Sequence, residues 1–193
     1  MSGTTTALKP PEDARAPVRH PDAPAPGELL DAHNHQCFGC GDQESGLLLR
    51  ARAGEGVAVT AEFEVRPVHQ GAPGLAHGGL LSAALDETLG ALNWMQRVIA
   101  VTGRLETDFA RPVPVGTVLH LQARVTAVHG RKIYCTATGR IDAHDGPVAV
   151  RADALFIEVR VDHFIQNGRA EEINAAIADP DQAKLARVCE VNQ

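Results

Sequence analysis

Residues 77–95 read HGGLLSAALDETLGALNWM. The run is too long for a typical strand, and Leu and Ala, both good helix formers, dominate it. Apolar residues fall on nearly every side, so the spacing predicts a helix that is buried rather than laid on a surface. Upstream, Val57, Val59, Ala61, Phe63 and Val65 alternate with Ala58, Thr60, Glu62 and Glu64 and end at Pro67. This period of two marks a half-buried strand. Residues 47–52 suit a short leading strand. Downstream come runs at 99–109, 118–128, 132–141 (entered through His129-Gly130) and 148–159 (after Asp145-Gly146-Pro147). Strand, strand, long helix and four strands predict an α+β domain, an antiparallel sheet wrapped around one central helix.

Three segments follow from composition. Residues 1–28 hold six of the twelve prolines and, among Val, Ile, Leu, Phe, Tyr and Trp, only Leu8 and Val18. They are expected to form a flexible tail, since they have little apolar surface to offset the entropy of ordering. Residues 29–162 make up the domain. Residues 163–193 are expected to form a helical appendix, with Glu171 and Glu172 in a first helical turn and Asp179-Pro180 as an N-cap followed by proline. The formal charge of −6 argues against a nucleic-acid partner, and no apolar run suits a membrane span. The start of the chain has no apolar signal region, and four cysteines make no disulfide framework, so the expected location is the cytoplasm.

Asp86 carries the chemistry. It stands among Leu81, Ala84, Leu85 and Leu89, and a carboxylate buried without partners costs several kcal/mol. Either it faces a cleft as a general base or it points to solvent from a helix edge. Gly78-Gly79, after His77, open the same helix, where free N–H groups favour a partly negative oxygen. They suit an oxyanion hole, or else the close packing of a loop. Gly78 and Asp86 are eight residues apart, about 12 Å along a helix. A reacting pair needs about 3–3.5 Å, so the two would act on one bond only from different subunits. Two helices packed antiparallel about a two-fold axis would provide this, so a homodimer or a dimer of dimers is expected.

The strings HQGAPGLAHGGLLSAALDETLG (69–90) and TGRLETDFARPVPVG (102–116), with CFGCGDQESGL (37–47) at the opening of the domain, resemble the hotdog-fold acyl-CoA thioesterases of the PaaI-like branch. The resemblance covers residues 36–160. It implies hydrolysis of an acyl-CoA or related acyl thioester with no cofactor. In its terms Asp86 activates water or attacks the carbonyl, and Gly78, with Gly79 beside it, polarises the thioester through its N–H. His77 supports the loop, Thr102 positions the water, and Arg111-Pro112 lie near the mouth of the acyl-CoA site. Arg104 is a further candidate substrate contact. Some relatives carry Asn or Gln six residues before the histidine. Here that position is Gly71, and Gln70 is the nearest candidate. Two alternatives stay open on the same fold, a hydratase or dehydratase using His77 and a non-catalytic acyl-CoA-binding module.

Glu87 competes with Asp86 for the role of base, but adjacent helical residues project about 100° apart. His33, His35, Cys37 and Cys40 form H-x-H-x-C-x-x-C, donors that suit zinc. One Cys-x-x-C without a second pair is no closed four-ligand set, and no metal is expected. Cys135 sits in an alternating strand as a small core residue, and His120 and His129 are expected to be solvated.

Overall fold

A computed structural model of the chain describes residues 8–179. Six strands, β1 (Arg50–Ala53), β2 (Ala58–Glu64), β3 (Ala100–Phe109), β4 (Val118–His129), β5 (Lys132–Ile141) and β6 (Val148–Glu158), form one antiparallel sheet in the order β1-β2-β4-β5-β6-β3. Gly130, at φ +57, closes the two-residue loop between His129 and Lys132. Strands β4, β5 and β6 form a meander, whereas β3 crosses to the far edge and pairs with β6 alone.

The helix α1 (Gly78–Gly90) lies against this sheet. Leu81, Ala84, Leu85, Thr88 and Leu89 are its buried positions, a spacing that keeps one face of a 3.6-residue helix inward. They meet the alternating inward residues of the strands, among them Phe63, Leu119, Leu121, Ala137, Ala154 and Phe156, in one core. Two expectations are corrected. The helix does not run unbroken over 77–95; it stops at Gly90 and is followed by the short helix α2 (Asn93–Gln96), which ends on Arg97 in the left-handed region at φ +54. Nor is it buried on nearly every side. One sheet covers one side of a helix, so Leu80, Ala83, Asp86, Glu87 and Gly90 remain half-exposed.

Residues 8–28 are not a loose tail. Arg15 pairs with Val128 through both backbone groups, the His20 N–H donates to the Met95 carbonyl, and the Arg19 guanidinium donates to the carbonyls of Gly54, Gly56 and Pro24. Leu8 and Ala14 add to a second, small apolar cluster of Ala127, Tyr134 and Leu155. A bulge at Thr126 shifts the alternation of β4 and separates Ala127 from the main core. The segment therefore gains from backbone pairing what its composition lacks in apolar side chains. Near the other end, α3 (Asp162–Asn167) and α4 (Ala170–Ala178) carry Glu171 and Glu172 in the first turn of α4. Asp179 ends α4, and the rest of the expected Asp179-Pro180 helix start lies outside the described residues. No described helix is long and apolar enough to cross a membrane.

Candidate active site

Asp86 projects from the half-open side of α1 toward β3, where the Thr102 hydroxyl donates a 2.8 Å hydrogen bond to Asp86 Oδ1. The backbone of β3 aims that hydroxyl. Thr102 pairs with Phe156 and Arg104 with Leu155, so Gly103 is an extra residue in the ladder, a bulge. A Cβ at Gly103 would lie 2.9 Å from Ile157 Cγ1, so the bulge needs glycine. Burial is the main effect on Asp86 and raises its pKa above the ordinary carboxylate range. The Thr102 hydrogen bond opposes this, while nearby Glu87 and Cys37 add to it. The group is a half-buried carboxylate with one oxygen held and a raised proton affinity, as a general base requires.

The loop before α1 is built to present the start of the helix. His69 is buried against Phe63, with ring centroids 5.1 Å apart, and its Nδ1 accepts the Arg66 N–H at 3.0 Å. Burial lowers its pKa below the ordinary histidine value. Its carbonyl accepts the His77 N–H at 2.9 Å, tying the loop's two ends together. His77 is the N-cap of α1, and its Nδ1 accepts the Gly79 N–H at 2.9 Å. The Gly79 N–H is thus spent within the chain, whereas no acceptor among the described residues takes the Gly78 N–H. Gln70 Oε1 accepts the Gly74 N–H at 2.8 Å and closes the loop's tip. At Gly71 a Cβ would lie 2.8 Å from the His77 Cα, so this loop cannot carry an amide side chain at that position.

A cleft of about 280 Å³ opens beside the helix start, with Gly78, Leu81, Phe109, Arg111, Pro112 and Val113 in its wall. Arg111 also donates to the Val148 carbonyl at 3.0 Å, which fixes its side chain at the rim. Arg104, by contrast, pairs with Glu106 along the exposed face of β3. The chain therefore presents two groups of expected site residues. Gly78, Arg111 and Pro112 lie at the cleft; Asp86, further along α1, and Thr102, on β3, are not in its wall.

A second polar cluster adjoins Asp86. Donor atoms of His33, Cys37, Cys40 and Glu87 all lie within 4.8 Å of one another. His35 is not among them, since it pairs with Asp42 at 3.0 Å. The hydrogen bond from Cys40 lowers the pKa of Cys37 and holds Cys40 itself protonated. Glu87 is thus turned away from the role of competing base. The sequence reading missed its link to the cysteines, fifty residues earlier, and missed His69 and Gly103. A lone glycine inside a strand run was the available signal for Gly103. Cys135 is buried as expected. The solvated reading of His120 is corrected: its side chain is only 13% exposed, beside Glu62 at 3.4 Å and edge-on to His144.

A six-stranded antiparallel sheet curled over one helix defines a hotdog domain. Residues 73–146 match the thioesterase superfamily. The chain is similar to the acyl-coenzyme A thioesterase THEM4 of Xenopus laevis, with 32% identity over 98 residues, 50% of this chain and 43% of that protein. It therefore spans less than half the length of that relative. Among solved structures, a thioesterase superfamily protein shares 32% identity at a TM-score of 0.50, covering 56% of this chain and 53% of that one. The E. coli PaaI protein from the phenylacetic acid degradation operon superposes at a TM-score of 0.54 with 16% identity, covering 58% and 80%. The chain thus carries a hotdog-fold domain, of which residues 73–146 match the thioesterase superfamily and whose fold is like that of the PaaI protein.

Proposed function

We propose that the protein hydrolyses an acyl-CoA-type thioester to the free acid and thiol at sites shared between two protomers. The observation that carries this reading is the Thr102–Asp86 hydrogen bond, which holds a carboxylate of raised proton affinity at the open side of the core helix. The similarity to acyl-coenzyme A thioesterases supports the substrate class. Beyond β6, the other edge of β3 has no strand partner among the described residues, and the half-exposed face of α1 adjoins it. Such an edge invites pairing with a second copy. A two-fold axis there would set the Gly78 cleft of one protomer near Asp86 of the other.

In the shared site the thioester oxygen accepts the Gly78 N–H, the positive end of the α1 dipole stabilising the developing oxyanion. Asp86 of the other protomer takes a proton from water, whose oxygen attacks the carbonyl carbon. Attack by the carboxylate itself, through a mixed anhydride, gives the same products. Thr102 holds the carboxylate in place. The tetrahedral intermediate collapses, the C–S bond breaks, and the proton on Asp86 passes to the departing sulfur. Arg111 at the cleft rim suits the phosphates of coenzyme A.

A panel of acyl-CoA esters assayed for free thiol, beside sedimentation of the same sample, tests the reading. Thiol release by a dimer or larger assembly is the expected result. Hydrolysis of none of the esters, or full activity in a monomer, would end it. The pH profile gives a second test. Only ionised Asp86 accepts a proton, so kcat should rise with pH through a midpoint above the ordinary carboxylate value. The Thr102 hydrogen bond lowers that midpoint, so Thr102→Val should move it to higher pH. The same change should reduce the plateau roughly tenfold, the effect of losing one hydrogen bond to a charged group. An unmoved midpoint would separate Thr102 from Asp86 in function.

A further inference from the structure

We infer that His33, Cys37, Cys40 and Glu87 form a structural zinc site that fastens the segment before β1 to the core helix, one residue from Asp86. The donor set is two sulfurs, one imidazole nitrogen and one carboxylate, the ligand chemistry and number of a closed zinc site. The donors lie within 4.8 Å of one another, so small side-chain adjustments bring them to a tetrahedral ion. A tetrahedral zinc with Zn–S near 2.3 Å and Zn–N or Zn–O near 2.0 Å requires ligand-to-ligand edges of about 3.3–3.8 Å. His33 Nδ1 lies 3.1 Å from Cys40 Sγ and 3.6 Å from Glu87 Oε1, and Cys37 Sγ lies 3.5 Å from Glu87 Oε2.

The surrounding backbone is shaped to this cluster. The Gly39 N–H donates to Cys37 Sγ at 3.3 Å, the kind of contact that stabilises a thiolate ligand. A Cβ at Gly39 would fall on the Glu87 carboxylate, and one at Gly41 would fall on the carbonyl oxygens of Cys37 and His35. The two glycines of Cys-Phe-Gly-Cys-Gly are thus needed, one to admit the carboxylate and one to turn the chain. Arg50 clamps the turn from outside through the Cys40 carbonyl and Asp42. Among the described residues, the only ion-pair partner of Glu87 is His33, and its side chain is 17% exposed.

All four donors come from the chain, which leaves no open position, so the metal is structural rather than a hydrolytic centre. The inference does not rest on thioesterase activity, and its test reads metal directly. Untagged full-length protein, kept reduced and passed over a chelating resin, should retain stoichiometric zinc by elemental analysis. Cobalt added to metal-depleted protein should give tetrahedral d–d bands and a thiolate-to-cobalt charge-transfer band. Glu87→Gln should weaken zinc binding at least tenfold, and the Cys37→Ser, Cys40→Ser double variant should abolish it. Should the double variant fail to fold, the wild-type cobalt spectrum decides alone. Background zinc together with no thiolate band, or zinc that persists in a folded double variant, would overturn the assignment.

Discussion

Asp86→Asn is expected to lower kcat for thioester hydrolysis by about 10²–10⁴-fold, the range that a positioned general base contributes. The amide keeps the shape of the carboxylate, and its oxygen can still accept the Thr102 hydroxyl, so geometry at the helix is preserved. What is lost is the capacity to take a proton or to attack. Acyl-CoA binding should change little, because the cleft wall is built from other residues. Stability separates this from a folding defect. Burial raises the pKa of Asp86 above its unfolded value, so its contribution to stability is present at low pH and declines as pH rises through the folded-state pKa. At neutral pH the variant should therefore melt at or above the wild-type temperature. A variant that retains wild-type kcat would remove Asp86 from the mechanism, and one that melts far lower would point to a structural role.

The second large effect concerns the core. Leu85 is fully buried, one residue from the acid, and faces the sheet. Leu85→Ala deletes its side chain from a close-packed interior and should destabilise the domain by about 2–5 kcal/mol. For a chain of this length that corresponds to a fall in Tm of roughly 4–20 °C. Calorimetry checks it. Leu80, on the half-open side of the same helix, is the control, and Leu80→Ala should cost clearly less in an isolated protomer. An assembly that buries that side would narrow the difference, so the pair of variants also reports on whether the outer face is covered.

Much of this was legible in local patterns, for definite reasons. A period of two along β2, β4 and β5 requires a sheet with one buried face, and that follows from pleat geometry alone. The Leu and Ala content of α1 identified the helix, and an acid inside that run identified the residue that needs explaining. The eight-residue separation of Gly78 and Asp86 set a distance that no tertiary detail alters, because helical rise is constant. Of the expected tail 1–28, residues 1–7 lie outside the described residues; 8–28 are held by backbone pairing and by Arg19, which a count of apolar side chains does not register.

The sequence by itself determined the α+β elements, the acid on the helix and the glycines that open it, because periodicity, propensity and helical rise are properties of neighbouring residues. Only the tertiary structure decided that β3 crosses to the open edge, that the bulge at Gly103 turns Thr102 onto Asp86, and that Glu87 completes a donor set begun fifty residues earlier. Those contacts join residues far apart in the chain. They depend on which strand lies beside which and on how one helix is rotated against the sheet, and no local pattern encodes either.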